Sequence, residues 1–168
     1  MSEEIKETKQ DEAKVETKVL SFDKKREDKI DKMQQFLADN KIDCFDVQEF
    51  DDKLHTTIFR SRMEVKGQIL PMAVLMDDSV YIILQVQIAP QVIPEEKLPE
   101  MAVAINNMNN NVRPFKFTVS EKGDFMLNAC ITAENNTFNP ALLNAIIGEA
   151  LKFLEAQYGN IMEVVWKK

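Results

Sequence analysis

A single histidine, two cysteines and four isolated glycines set the limits on the chemistry open to this chain of 168 residues. His55 is the only imidazole, so any proton relay built on histidine must use it. It stands beside the start of a strand-like run, and a solvent-facing residue at a strand end is the reading we favour. A nucleophilic thiol would require Cys44 or Cys130 to meet His55 in space. Neither cysteine lies at a nucleophile elbow or at a helix N-terminus that would depress its pKa. Two lone cysteines and one histidine make no pair at zinc-ligand spacing, and no acidic run follows the order of a calcium loop. Gly67, Gly123, Gly148 and Gly159 are each alone, which excludes a glycine-rich phosphate cradle. Asp51-Asp52 and Asp77-Asp78 read as turn residues. No catalytic, cofactor-binding or metal-binding set emerges, no cofactor is expected, and the chain reads as a non-enzyme.

Two other groups could recognise something. Arg60 and Arg62 share one strand face with Glu64 and could gather an anion. A charged outer face that resists strand-to-strand aggregation explains the same residues, and we favour it. Nine methionines could form an adaptable binding surface. Met33, Met63, Met72, Met76, Met101 and Met108 nevertheless fall on apolar stripes, where filling a core is the plainer role.

The elements that must position these residues are readable from periodicity. Ile30, Met33, Phe36 and Leu37 recur at helical spacing over about residues 24 to 39, with Asn40 as the stop. A short extended segment, Phe45 to Phe50, precedes three strands at Leu54 to Val65, Ile69 to Met76 and Val80 to Ile88. With Lys66-Gly67 as a two-residue turn, Met63 faces Leu70, Phe59 faces Val74 and Thr57 faces Met76. In the third strand Val80, Ile82, Leu84, Val86 and Ile88 alternate with Tyr81, Ile83, Gln85 and Gln87. They join Met72, Val74 and Met76 if the loop has an odd count, such as Asp77-Asp78-Ser79. A second helix begins near Glu95 with the stripe Leu98, Met101, Ala102, Ile105 and Met108, and exits through an asparagine cluster. Strands Phe115 to Ser120 and Phe125 to Thr132 follow, and a Glu121-Lys122-Gly123 loop aligns Phe117 with Leu127. The last helix opens with Asn139 as N-cap and Pro140 behind it. It carries Leu143, Ile146, Ile147, Ala150, Leu154 and Tyr158, with Gly159 as its expected end and Ile161 to Trp166 as a short strand or docked tail.

The fold expected is α+β: an antiparallel sheet of five to six strands with helices packed on one face, in the order α-β-β-β-α-β-β-α. Residues 1 to 22 differ in kind, with six acids, four lysines and like charges at helical spacings, and read as a disordered charged tail before a single domain over 23 to 168. The chain holds 21 basic against 28 acidic residues, so nucleic acid is not an expected partner. No apolar run approaches the roughly 20 residues of a membrane span, and the charged start lacks a secretory core. A cytoplasmic location with free thiols is expected. If the alternating core set faces the helices, Ile69, Ala73, Leu75, Tyr81 and Ile83 are left on the opposite face of the sheet, a candidate protein-binding face.

Ala104-Ile105-Asn106-Asn107-Met108-Asn109, Phe115-Lys116-Phe117, Gly123-Asp124-Phe125-Met126-Leu127 and the helix opening Asn139-Pro140-Ala141-Leu142 together resemble the YbjN-like family, the bacterial sensory transduction regulators. That family's fold is similar to that of type III secretion chaperones. The likeness covers about residues 28 to 158 and rests on shape more than on chemistry. It implies helices on one face of an antiparallel sheet, work done by binding proteins, dimerisation, and no catalytic residues to carry over. The expected function is a cytoplasmic protein-interaction module, regulatory in character, with a protein partner or a second copy of the chain. The alternatives are a secretion-chaperone-like protein holding an unfolded client segment and, from another class, an enzyme of unknown activity.

Overall fold

The computed structural model describes residues 23–134 and 136–166. The charged segment 1–22, expected as a tail, lies outside the described residues. The chain is α+β: six strands form one antiparallel sheet, and three α-helices lie against one of its faces. The strands are β1 (Asp46–Glu49), β2 (Thr57–Val65), β3 (Gln68–Met76), β4 (Tyr81–Ala89), β5 (Lys116–Val119) and β6 (Phe125–Thr132). Their order across the sheet is β1-β2-β3-β4-β6-β5. The helices are α1 (Asp23–Asp39), α2 (Leu98–Asn110), entered through a 3-10 turn at Glu95–Lys97, and α3 (Pro140–Val165).

Helix α1 buries Ile30, Met33 and Leu37, three members of one stripe. It closes on a left-handed residue, Lys41 at φ 53°. The Ile42 N–H donates to the Leu37 carbonyl at 2.9 Å and the Lys41 N–H to that of Ala38 at 3.1 Å. Asn40 adds its Nδ2, which donates to the Phe36 carbonyl at 2.8 Å.

The β2–β3 hairpin has the expected register, with Met63 opposite Leu70, Phe59 opposite Val74 and Thr57 opposite Met76. Its turn holds both Lys66 and Gly67 at positive φ, 50° and 77°, the geometry that matches strand twist. Pro71 stands within β3, a strand with neighbours on both sides. Pairing of β3 with β4 runs from Met76 to Met72 and stops there, so the missing N–H falls where that ladder has ended.

The structure departs from the expected pattern first at the β3–β4 loop. Met76 lies opposite Ile82 instead of Val80, so the loop keeps its odd count but is longer by one pleat. Ile82, Leu84, Val86 and Ile88 remain on the core face, while Val80 is exposed. The cause is local. Asp77 Oδ1 accepts from both the backbone N–H and the hydroxyl of Ser79, and this turn uses up the residues that would otherwise have paired. The second departure is at the C-terminus. Helix α3 runs through Gly159 to Val165, and Ile161 to Trp166 form neither a strand nor a separate tail. A helical glycine costs about 1 kcal/mol. Burying Ile161 and Val165, which extend the stripe of Leu143, Ala150 and Leu154, outweighs that cost. Ile146 and Ile147, expected on the same stripe, are only half-buried.

Helix α2 is thinly packed. Met101 is its one buried residue, and Ala102, expected inside, is exposed. The helix is held at its end instead: Asn109 Oδ1 accepts from the Phe117 N–H at 2.7 Å and its Nδ2 donates to the Phe117 carbonyl at 3.1 Å. One amide thus occupies both backbone groups of Phe117 on the outer edge of β5, a position where another strand could otherwise add.

Candidate functional site

The face of the sheet turned away from the helices is built from every second residue of β2, β3, β4 and β6. Strand register fixes its rows. Ile58, Leu75, Ile83 and Cys130 lie opposite one another across four strands. The next row reads Asp46, Arg60, Ala73, Gln85 and Asn128. Beyond it come Arg62 with Pro71, Gln87 with Met126, and then Glu64 with Ile69. Residues of the same strands that point to the helices are buried, apart from Ser61, Gln68 and Ile131, whereas those on this face are half-buried or exposed.

The five residues expected here are all on this face, but they do not form one cluster. Leu75 and Ile83 are directly opposite each other, and Tyr81 lies two residues before Ile83 on β4 at 49% exposure. Ala73 belongs to the polar row. Ile69, 57% exposed, lies six residues from Leu75, about 20 Å along an extended strand. Ile58 and Cys130 complete the apolar row and were not singled out by sequence reasoning. The alternation Thr57, Phe59 inward against Ile58, Arg60 outward carries the signal for the first. Nothing short of the β4–β6 register places the second.

The polar rows enclose a trough of about 490 Å³ over β3. Its floor is Pro71 and Ala73, small side chains flanked by Ile69. One wall is Arg60 and Arg62 on β2, the other is Gln85 and Gln87 on β4, with Met126 behind. The two walls are two strand spacings apart, roughly 10 Å. The side chains of Arg60 and Arg62 are exposed and make no hydrogen bond or ion pair with any described residue.

A second polar group closes the end of the sheet near the β3–β4 turn. Lys29 is fully buried, and its ammonium donates to the carbonyls of Asp77 at 2.8 Å and Ser79 at 2.6 Å. Asp78 is buried too, and His55 Nδ1 stands 2.6 Å from its Oδ2. His55 therefore keeps a partly exposed ring, 38% open, but is tied through Nδ1 to the buried Asp78, which is more than an ordinary turn residue. The left-handed backbone of His55, φ 49°, turns its ring onto the turn, and the Asp78 N–H donates to the Leu54 carbonyl at 3.0 Å. This cluster joins helix α1, the loop before β2 and the β3–β4 turn. Cys130 is not its nucleophile, since it sits on the open face three strands across from β2. Among the described residues no group of three or more histidine, cysteine, aspartate or glutamate side chains is placed to hold a metal ion.

Two carboxylates that tie loops are held below their ordinary pKa of 3.8. For Asp52 the main cause is the Thr56 N–H, followed by the Thr56 hydroxyl. For Asp124 it is the Ser120 hydroxyl, followed by the Gln91 N–H, with a smaller part from the Gln87 side chain. A carboxylate lowered by folding stabilises fully above its unfolded pKa and loses that contribution as pH falls through the folded value. Carbon-detected NMR titration is accordingly expected to place both midpoints below 3.8. Backbone protection at Thr56 and Gln91 should fade in that same acid range. Midpoints at or above the ordinary value would contradict the hydrogen bonds described.

Neither a protein-family model nor a curated protein sequence matches the chain. No helix of the described residues is long and apolar enough to cross a membrane.

Proposed function

We propose that the chain is a non-enzymatic protein-interaction module of the YbjN-like type that binds its partner on the open face of the sheet. The observation that carries this reading is the row Ile58, Leu75, Ile83, extended by Tyr81 and by Cys130, on a face against which none of the described helices packs. Contiguous apolar surface of this kind favours association, and interface centres are typically aliphatic and aromatic with a polar rim. The rim here is the pair of arginines and the glutamines of the neighbouring rows. The segment Ile161 to Val165, which could have covered this face, is instead the last part of α3, with Ile161 and Val165 in the core and Trp166 as its C-cap. The described chemistry-bearing groups, Lys29, His55 and Asp78, bind one another's turns and are accounted for as structure.

Ile83→Lys tests the reading. A charge placed in the middle of a binding face should abolish capture of partner or self-association measured by sedimentation. The variant should still melt cooperatively within a few degrees of the parent, because Ile83 is only half-buried. Loss of cooperative melting would mean that the face is internal to the fold. Unchanged association would mean that the partner docks elsewhere.

A further inference from the structure

We propose that the trough over β3 binds an extended segment of a partner protein bearing two carboxylates two residues apart, with an apolar side chain at the next inward-facing position. This rests on the reading of the open face as a protein-binding surface and specifies what it binds. Three features of the trough select that ligand. First, the whole chain has a net charge of −7, yet Arg60 and Arg62 stand side by side on one wall without a described carboxylate partner. Guanidinium groups recognise carboxylates through paired, charge-assisted hydrogen bonds. Asp46 on β1, opposite Arg60, flanks the pair on the side away from β3, which favours approach of an anion from the β3 side, and Glu64 lies farther along β2 beyond Arg62.

Second, the spacing is that of a strand. Arg60 and Arg62 are successive residues of one face, about 6.8 Å apart, and side chains at alternate positions of an extended segment repeat at the same distance. Two carboxylates at such positions meet both guanidiniums at once. The next inward-facing position in the direction of Ile58 then falls on the apolar row of Ile58, Leu75 and Ile83. Third, the cross-section suits an extended backbone. Walls whose backbones are roughly 10 Å apart, narrowed by the arginine and glutamine side chains, leave less than the 10 to 12 Å diameter of a helix with its side chains. The floor of Pro71 and Ala73 is low enough to admit a strand-like segment. The wall of Gln85 and Gln87 presents amides, which can donate to and accept from a peptide backbone.

The full chain, immobilised, would be presented with a display library of random peptides long enough to run the length of β3. The expected result is enrichment of peptides with two acidic residues at alternate positions and an aliphatic or aromatic residue two positions away. A fluorescent consensus peptide, followed by anisotropy, should bind R60Q/R62Q at least about tenfold more weakly than the parent, and should weaken as salt is raised. R60Q/R62Q should melt like the parent, since both side chains are exposed. Enriched peptides without acidic residues, or a consensus peptide that binds R60Q/R62Q within about twofold of the parent, would overturn the inference. If such neutral peptides are nonetheless lost from Ile83→Lys, the face is a binding surface for another chemistry. Peptides insensitive to both variants would overturn the face reading as well. A parent dimer that Ile83→Lys dissolves, with no peptide enriched, would make the occupant a second copy and likewise overturn the acidic-segment proposal.

Discussion

Replacing Lys29 by alanine is expected to destabilise the domain by about 3 to 5 kcal/mol, the usual cost of removing one member from a buried charged network. The ammonium is fully buried and donates to two carbonyls, of Asp77 and Ser79, across a sequence separation of about 50 residues. Each hydrogen bond from a charged donor contributes roughly 1.5 to 3 kcal/mol, and acceptors left dry lose their partner without regaining water. The turn so held also carries the buried Asp78, whose Oδ2 stands 2.6 Å from His55 Nδ1. Lys29→Met separates charge from packing, because methionine preserves most of the stem. If the ammonium is what matters, urea unfolding should give Lys29→Met a loss close to that of Lys29→Ala. A methionine variant within about 1 kcal/mol of the parent would show that the buried stem stabilises the fold and that the carbonyls find other donors.

Lys29 also marks where sequence reasoning stops. The helix around it is legible because Ile30, Met33 and Leu37 repeat at three and four residues, and that repeat belongs to the segment itself. Burial of a lysine next to that stripe belongs to a turn elsewhere in the chain, and no local pattern encodes it. The same division runs through the sheet. Hairpin registers are local, so Met63 opposite Leu70 and Phe117 opposite Leu127 follow from turn chemistry and alternation. The β3–β4 loop is longer by one pleat than alternation alone requires because Asp77 bonds Ser79, a choice between two turns that the repeat does not decide. Gly159 looked like a stop because propensity is local, while the burial of Ile161 and Val165 that carries α3 onward is tertiary.

The open face was legible in outline for the same reason. Strict alternation in β4 sends Tyr81 and Ile83 opposite to Ile82 and Leu84 wherever the core lies. What alternation does not supply is which strands are neighbours. Placing β6 beside β4, which brings Cys130 to Ile83 and Met126 to Gln87, is a property of topology. The trough needs three strands at once, so Arg60 and Arg62 read in isolation as an ordinary charged face. Only with Pro71 and Ala73 between them and the glutamines do they line a concavity.

Gly123→Ala is expected to cost about 3 to 5 kcal/mol, and Gly67→Ala only about 1 to 2, although both glycines have nearly the same backbone. Gly67 is at φ 77° with nothing within 4 Å of where a Cβ would stand, so its substitution meets backbone strain alone. Gly123, at φ 83°, has the Ile93 carbonyl oxygen inside contact distance of that position, and backbone cannot swing aside as a flexible side chain can. The approach is close because the Gly123 carbonyl accepts from the N–H groups of both Val92 and Ile93, each at 3.1 Å. Asp124 reinforces the same junction by accepting from the Gln91 N–H at 3.0 Å. A methyl group there must push the 91–93 segment off the β5–β6 hairpin and break these bonds together. That segment leads directly into α2, which buries little of its own surface and so depends on its two ends for placement. Gly123→Ala should therefore loosen α2 ahead of the rest, seen as lost amide protection from about residue 98 to 110, while the β2–β3 hairpin keeps its protection. Gly67→Ala should leave α2 untouched. Equal losses of stability in the two variants would mean that strain at positive φ accounts for both, and that the crossing segment yields to the added carbon at no cost.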